Sequence, residues 1–300
     1  MSFHATQTAE LTWVMFAGAA VIFVLVLGTL GFALYGSAQV RRPLSRRWLI
    51  IGAGVIFPVA VLSALLAYSF AVTARMARTD TPPAVRIEVV GEMWWWRLRY
   101  LDQNGQLLFE TANDIRIPVG VPVDLVLTSD NVIHSFWAPK LAGKLDMIPG
   151  HVNLLRVQVR QPGLYRGQCA EYCGAQHAKM MFDLRAVTVE EFQAWVAAQR
   201  LPAMEPANAT LQVGKQIFMQ ACTQCHTVRG VNATGTLGPD LTHVGSRSSL
   251  AAGVLPNTIG ALAGWIAGSQ HIKPGNQMPS FDQLTGENLR AIAQYMDSLK

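Results

Sequence analysis

Two long stretches without a charged residue constrain this chain most. Leu11 to Tyr35 runs for 25 residues and Trp48 to Thr73 for 26, with no Asp, Glu, Lys or Arg in either. At about 1.5 Å per helical residue, each is long enough to cross a hydrocarbon layer of roughly 30 Å. They predict a two-helix transmembrane hairpin in residues 1–83, with helices at about 11–35 and 48–73. Two buried core helices are the alternative, but helices this long and apolar on every face are rare in soluble domains.

The segment between the two stretches is basic. Gln39 to Arg47 holds four arginines and no acidic residue. We expect a short loop there on the cytoplasmic side, because Lys and Arg are enriched in cytoplasmic loops. Both ends of the hairpin then lie outside, and Arg75 and Arg78 oppose this only weakly. Pro58, inside the second stretch, predicts a kink.

Composition narrows the class of protein. Hydrophobic residues make up 51% of the chain and charged residues only 14%, which fits membrane attachment. The net charge of +5 comes from scattered Lys and Arg, without the basic, aromatic platform that stacks bases, so we exclude nucleic acid as a partner. The four cysteines form two close pairs, a spacing typical of cofactor sites rather than of a disulfide framework.

Residues 84–187 have the pattern of an all-β sandwich. Short apolar alternations at 115–117, 123–127 and 157–159 are separated by turns rich in Gly, Pro, Asn and Asp. A rigid antiparallel core of this size can hold a metal site in a fixed geometry.

A candidate metal loop closes this sandwich. Cys169, Cys173, His177 and Met180 fall within twelve residues, and the backbone carbonyl of Glu171 lies between the thiols. Thiolate, thioether and imidazole are the donors that copper prefers over harder cations. A Cys2His2 zinc site is the alternative, and it leaves Met180 unexplained.

His134 is the candidate that completes the donor set. It ends an apolar strand 35 residues before Cys169, so a neighbouring strand end could deliver it to the loop. A lone histidine is more often structural, and here only the cysteine loop favours ligation.

The last third of the chain predicts a second outer domain. Residues 188–210 read as an amphipathic helix followed by a Pro-rich linker, and 211–300 contain Cys222-Thr-Gln-Cys225-His226. In this motif two thiols bond covalently to haem and the adjacent histidine becomes an axial ligand. A redox or zinc CxxC is the alternative, but it needs a βαβ pattern or a second ligand pair. Gly214 predicts a close crossing between the helix before the motif and a final helix from Thr285.

Several of these segments together resemble a known family. His134-Ser-Phe-Trp137, Pro139 to Gly150 and the loop from Cys169 to Met180 resemble subunit II of the haem–copper cytochrome c oxidases. The hairpin and a cupredoxin domain resemble that family over residues 10–187. Residues 211–300 resemble an all-α class I cytochrome c, so the whole chain looks like the subunits with a fused cytochrome.

The resemblance implies a dinuclear copper centre, CuA, bridged by both thiolates. Its implied ligands are His134, Cys169, the carbonyl of Glu171, Cys173, His177 and Met180. Trp94 is the first of three consecutive tryptophans, and the resemblance implies that it occupies the position through which electrons enter CuA in this family. An aromatic run on a strand is more often part of ordinary core packing. The Glu171 side chain is implied to help bind magnesium at the contact with subunit I, which Asp146 would support.

The resemblance also implies the haem ligands. Pro239 lies in the loop whose proline carbonyl accepts the Nδ1 hydrogen of the axial histidine, here His226. Met278 resembles the usual sixth ligand, with His243 and His271 as rivals.

The implied function is electron transfer in a proton-pumping oxidase of the bacterial inner membrane, with both soluble domains on the periplasmic or extracellular side. An external donor, such as a cytochrome c or quinol–cytochrome c reductase, would reduce haem c. CuA would then pass electrons to haem a and CuB of subunit I, where dioxygen becomes water. Subunit III is a further expected partner, and this chain itself holds no oxygen-reducing site.

Three other functions compete with this one. A nitric-oxide reductase with a CuA subunit would use the same cofactors with a different partner. Quinol oxidases keep the fold but lack the copper ligands. A copper carrier or assembly protein would need exchangeable metal and no covalent haem.

Two positions depart from the family pattern. No acidic residue lies between Arg46 and Pro58, where the family often has one that feeds a proton path. His151 replaces the Arg that usually follows the Pro149-Gly150 pair, and a histidine loses its charge above neutral pH.

Overall fold

The structure, a computed structural model, describes residues 3–44, 46–76 and 82–300. The hairpin helices form one compact unit, and the rest of the chain from residue 82 forms another. Arg78, considered above for orientation, lies outside the described residues.

The hairpin consists of four helical pieces: α1 (Phe3–Tyr35), α2 (Ala38–Leu44), α3 (Arg47–Ile51) and α4 (Phe57–Met76). Two helical segments, Ala5–Tyr35 and Arg47–Arg75, have the length and apolar composition of membrane spans, with mean hydropathies of 2.4 and 2.6. The basic segment predicted as a loop is instead largely helical, because α2 carries Arg41 and Arg42 in its last turn.

The structure accommodates Pro58 with a π-helical turn over Gly52–Ile56. The Phe57 N–H donates to the carbonyl of Gly52, five residues earlier, instead of to the carbonyl four residues earlier. Proline has no N–H, and its ring crowds the carbonyl four residues before it, which is Gly54 here. A widened turn relieves that crowding where the sequence predicts a kink.

The second unit begins with ten strands: β1 (Val85–Glu92), β2 (Trp95–Leu101), β3 (Leu107–Ala112), β4 (Asp114–Pro118), β5 (Val123–Ser129), β6 (His134–Trp137), β7 (Leu145–Met147), β8 (Asn153–Val157), β9 (Gly163–Cys169) and β10 (Met181–Val187). They form two five-stranded sheets, ordered β3-β2-β1-β5-β8 and β4-β10-β9-β6-β7. One pair in each sheet, β1 with β5 and β4 with β10, is parallel. The predicted cupredoxin-like sandwich is confirmed.

The inner faces of the two sheets interdigitate around Trp96, which is fully buried. Its ring makes edge contacts with Phe136 at 5.8 Å and with Phe182 at 5.3 Å, and those two rings stack at 4.4 Å. Such pairs stabilise a core beyond the area they bury. The strand ends that carry the candidate ligands therefore rest on a tightly packed base.

The predicted linker helix is α5 (Val189–Gln199), which begins at a capping box. The Thr188 side chain accepts from the Glu191 N–H, and the Glu191 carboxylate accepts from the Thr188 N–H. Phe192 and Trp195 lie on one side of α5, as expected, and contact the ring of Tyr100 in the sandwich.

The C-terminal segment contains three main helices, α6 (Ala209–Ala221), α7 (Ile259–Ile272) and α8 (Gly286–Ser298). Two short antiparallel pairs accompany them: β11 (Thr227–Val228) with β12 (Ala233–Thr234), and β13 (Ser249–Leu250) with β14 (Leu255–Pro256). The predicted close crossing is confirmed, because a Cβ at Gly214 in α6 would lie 2.2 Å from the Ala291 carbonyl in α8.

Candidate metal centre and haem cavity

The sandwich gathers the metal-loop donors at one end. His134 opens β6 and does not end a strand as predicted, because the residues before it form a bend. Cys169 closes β9, and these two strands are paired, with Phe136 opposite Cys169. The chain then turns back through a short 3-10 helix, His177–Lys179, before β10 begins. Strand pairing thus brings together residues that lie 35 positions apart.

Of the six candidate donors, two are the cysteine sulfurs, and the other four surround this pair. The sulfurs of Cys169 and Cys173 lie 3.7 Å apart. Cys169 Sγ is 3.7 Å from His134 Nδ1 and 3.2 Å from the Glu171 carbonyl. Cys173 Sγ is 3.5 Å from His177 Nδ1 and 3.9 Å from Met180 Sδ. Each sulfur therefore has one imidazole and one further donor beside it.

The chemistry of this donor set fits copper. All four cysteines are free thiols, and both in the loop are only 3% exposed. A hydrogen bond from the Cys173 thiol lowers the pKa of Cys169, and the same pairing, with burial, raises the pKa of Cys173. The pair alone thus favours a single negative charge, whereas bound metal ions would deprotonate both sulfurs.

Asn131 orients His134, a role that sequence reasoning missed. The His134 Nε2–H donates to Asn131 Oδ1 at 3.1 Å, which leaves Nδ1 as the nitrogen facing Cys169. Gly91 makes room for the ring, because a Cβ there would lie 2.6 Å from His134 Cδ2. No motif distinguishes Asn131 from an ordinary turn residue.

The three tryptophans differ in their surroundings. The Trp94 indole N–H donates to the Cys173 carbonyl at 2.7 Å, and its ring packs on Gly174, where a Cβ would lie 3.1 Å from Cζ2. Trp95 lies beneath the Arg97 guanidinium at 4.7 Å. Trp96 belongs to the sandwich core described above. Only Trp94 therefore makes a bond to the metal loop.

The Glu171 carboxylate belongs to a group of paired charges on the surface. It pairs with Lys144 at 3.2 Å, and the same ammonium lies 4.0 Å from Asp146, with both acidic side chains 43% exposed. Glu171 and Asp146 thus share a cation on the surface beside the loop. His151, the residue that departs from the family pattern, is exposed.

A cavity of about 400 Å³ occupies the C-terminal domain. It is lined by Cys222, Cys225, His226 and Met278, together with apolar residues of α6, α7 and α8. Met93, Trp94 and Trp95 of the sandwich line it as well. Both cysteines and the candidate axial residues therefore face one space, and this space fits a covalently bound haem.

The local fold fixes the orientation of His226. The Cys222–His226 stretch continues as a turn from α6, because the His226 N–H donates to the Cys222 carbonyl at 3.0 Å. The His226 Nδ1–H donates to the Pro239 carbonyl at 2.8 Å. A Cβ at Gly238 would lie 2.5 Å from His226 Cε1. Burial lowers the pKa of His226, which favours the neutral imidazole that a metal requires.

Hydrogen bonds that the sequence did not predict hold the Met278 loop. The Ser269 hydroxyl and the Gln270 amide both donate to the Met278 carbonyl at 2.7 Å, and the Met278 N–H donates to Asn276 Oδ1. Of the histidines described in the cytochrome segment, only His226 lines the cavity. His243 is buried and contacts the Leu201 carbonyl at 3.1 Å, and His271 is exposed.

These features define a class of protein: a chain with two membrane-type helices, a cupredoxin-like domain with soft metal donors, and a cytochrome domain. The chain matches two known families, cytochrome c oxidase subunit II, periplasmic domain, over residues 85–187, and cytochrome c over residues 211–300.

Two relatives that each cover more than four fifths of the chain agree with these matches. Cytochrome c oxidase subunit 2 of Alkalihalophilus pseudofirmus is 36% identical, with 82% of this chain and 71% of that protein covered. The same subunit of Bacillus sp. strain PS3 is 29% identical, with 84% and 73% covered. The periplasmic domain of subunit II from Bradyrhizobium japonicum is 30% identical, with a TM-score of 0.37, over 40% of this chain and 96% of that structure. The chain belongs to the cytochrome c oxidase subunit II family and carries a fused cytochrome c domain.

Proposed function

We propose that this chain is the electron-accepting subunit of a proton-pumping cytochrome c oxidase. Haem c in the cytochrome domain and dinuclear CuA in the sandwich would supply the one-electron chemistry. Electrons from an external donor would pass through both to haem a and CuB of subunit I, where dioxygen is reduced to water.

One observation carries the proposal: Trp94 belongs to both candidate sites. Trp94 lines the cavity that Cys222 and Cys225 also line, and its indole N–H donates to the carbonyl of a candidate copper ligand, Cys173. A single buried residue thus connects the two sites, as a relay within one chain requires. We therefore assign electron transfer to Trp94.

The roles of the ligands follow from the donor chemistry. Cys169 and Cys173 would bridge two coppers, and the remaining ligands would be His134, the Glu171 carbonyl, His177 and Met180. With all positions filled, no site is open to substrate, which suits a centre that only carries electrons. Rigid strands beneath the donors limit rearrangement between oxidation states.

In the cytochrome domain, Cys222 and Cys225 would hold the haem covalently, with His226 and Met278 as axial ligands. The Pro239 carbonyl would fix the His226 ring and increase its basicity. A thioether ligand favours ferrous haem and so raises its reduction potential.

We assign the domains as hairpin 1–83, CuA domain 84–187, helix and linker 188–210, and cytochrome domain 211–300.

The two apolar helices support a membrane anchor, and we place the chain in the bacterial inner membrane with both soluble domains on the periplasmic or extracellular side. Subunit I is the proposed direct partner and subunit III a further one. Glu171 would help to bind magnesium at the contact with subunit I, and Asp146 would support that contact. A cytochrome c or quinol–cytochrome c reductase is the proposed donor.

Metal analysis of the purified complex tests the proposal. We expect two coppers and one covalent haem c per chain, with a near-infrared copper band that survives chelator treatment. Zinc, or a single copper, contradicts the dinuclear centre. Loss of the band to the chelator indicates a copper carrier, and consumption of nitric oxide in preference to oxygen indicates a nitric-oxide reductase.

A further inference from the structure

The end of α7 is bonded to the metal loop through consecutive residues, Ile272–Pro274, which we name the clasp. The Lys179 ammonium donates to the Ile272 carbonyl at 2.7 Å, and the Gln176 side-chain amide donates to the Pro274 carbonyl at 2.7 Å. Gln176 and Lys179 flank His177, a candidate copper ligand. The cytochrome domain therefore contacts the copper loop itself and not merely the outside of the sandwich.

The central residue of the clasp, Lys273, is 3% exposed. An ammonium group has three N–H donors, and here they meet three carbonyls: Trp94 at 2.7 Å, Lys179 at 2.9 Å and Ala251 at 3.2 Å. Two of these carbonyls belong to the sandwich and one to the cytochrome domain. A buried charge is costly unless it is hydrogen-bonded, so this contact is specific for one relative arrangement of the two domains.

Other polar contacts surround the clasp. The Met181 N–H donates to the Ala252 carbonyl at 2.9 Å, which joins β10 to the cytochrome domain. The Ser248 hydroxyl donates to Asp114 at 2.8 Å, and the Ser249 hydroxyl donates to Asp183 at 3.2 Å. The clasp is therefore part of a continuous interface.

We propose that Lys273 is a positioning residue that locks the cytochrome domain onto the copper loop. Electrons can then cross between the two sites without the cytochrome domain first having to reach the copper loop by diffusion. This inference rests on the proposed function. In this transfer, ferrous haem iron would lose one electron and become ferric, and the copper pair would gain that electron, with no covalent bond formed or broken.

The lock matters because the transfer rate scales with the fraction of molecules that are docked. A covalent linker alone raises the local concentration of one domain near the other but leaves them free to separate. The same contact also covers Trp94, which is 9% exposed. We therefore expect electrons from an external donor to enter through the cytochrome domain and not through Trp94.

Hydrogen exchange in the purified complex tests the lock without using the cofactors. The variant Lys273→Met keeps an unbranched side chain but removes the ammonium. We expect this variant to retain about a tenth of the docking equilibrium constant, so the Met181 amide should exchange about tenfold faster. The Leu125 amide in the core of the sandwich should not change. Lys215→Met is the matched control, since Lys215 in α6 pairs with Glu205 of the linker at 2.7 Å.

Kinetics after pulsed reduction of the haem give the second readout. In Lys273→Met the transfer to copper should slow about tenfold and become dependent on solvent viscosity, while both reduction potentials stay unchanged. Lys179→Met, which loses only the bond to Ile272, should show a smaller change in the same direction. This variant replaces Lys273→Met in both measurements if Lys273→Met does not fold. Unchanged exchange and unchanged kinetics in a complex with both cofactors overturn the lock. A folded complex that contains no copper contradicts the proposed function instead, and the exchange result then still decides whether the lock exists.

Discussion

The metal loop and the haem cavity are built in opposite ways. At the loop, four donors already surround two sulfurs that lie 3.7 Å apart, on a sandwich whose core is filled by side chains such as Trp96. In the cytochrome domain, the candidate ligands face a cavity of about 400 Å³. The sandwich therefore provides a site for its cofactor, whereas the cytochrome domain needs its cofactor as part of the core.

The lining of the cavity shows why this difference matters. The cavity is lined mostly by apolar side chains, which have no packing partners on that side when nothing fills the space. The donors of the metal loop, in contrast, rest on a filled core. We therefore expect haem to affect the folding of the cytochrome domain much more than copper affects the folding of the sandwich.

Loss of haem attachment should have the largest effect. In Cys222→Ser/Cys225→Ser we expect the α8 amides to lose their protection from hydrogen exchange, because the core around Tyr295 is incomplete. The β5 amides should stay protected. The matched variant Cys169→Ser/Cys173→Ser should lose copper yet keep protection in both domains. Equal unfolding of the sandwich and the cytochrome domain in their respective variants contradicts the contrast between the two sites.

Removal of one bridging sulfur should abolish the copper centre but leave its scaffold intact. We expect Cys173→Ser to bind at most half of the wild-type copper and to lose the near-infrared band. The unfolding midpoint of the metal-free protein should move by less than about 4 °C, which corresponds to roughly 1 kcal/mol or less. Copper analysis and calorimetry measure the two effects, and a full copper content in the variant is incompatible with bridging.

Loss of the Asn131 side chain should weaken the copper centre without abolishing it. In Asn131→Ala, His134 Nε2 loses its acceptor, so copper affinity should fall about 10–100-fold. Asn131→Asp retains an oxygen acceptor and should keep most of the affinity. Competition titration against a chelator compares the variants, and equal affinities in all of them show that Asn131 does not orient His134.

Replacement of Met278 should change the reduction potential of the haem without removing the haem. In Met278→Ala the haem should stay covalently attached, and its reduction potential should fall because the thioether no longer stabilises ferrous iron. Potentiometry and optical spectroscopy measure the change. A low-spin spectrum identical to the wild type identifies a different sixth ligand.

Local patterns were sufficient to predict most of the architecture. Uncharged length predicts the hairpin, alternation with turn residues predicts the sandwich, and Gly214 predicts the crossing of α6 and α8. Two details of the hairpin differ. The basic loop contains the helix α2, and Pro58 is accommodated by a π-helical turn, because backbone hydrogen bonds adjust to a proline in more than one way.

The residues around the sites were harder to predict because their contacts are distant in sequence. Lys273 and Trp94 lie 179 positions apart, and the sequence around Lys273 has no motif. Asn131 is near His134 in sequence, but its role depends on the ring orientation that strand pairing creates. The candidate ligands themselves were readable because their chemistry is unusual and their spacing is short.

The central claim is that two cofactors in one chain form a fixed relay. The most direct test is pulsed reduction of the haem in the purified complex, followed at the haem and copper bands. We predict that haem reoxidation and copper reduction proceed at one rate, which does not change with protein concentration. A rate that rises with protein concentration, or copper reduction that precedes haem reduction, contradicts the relay.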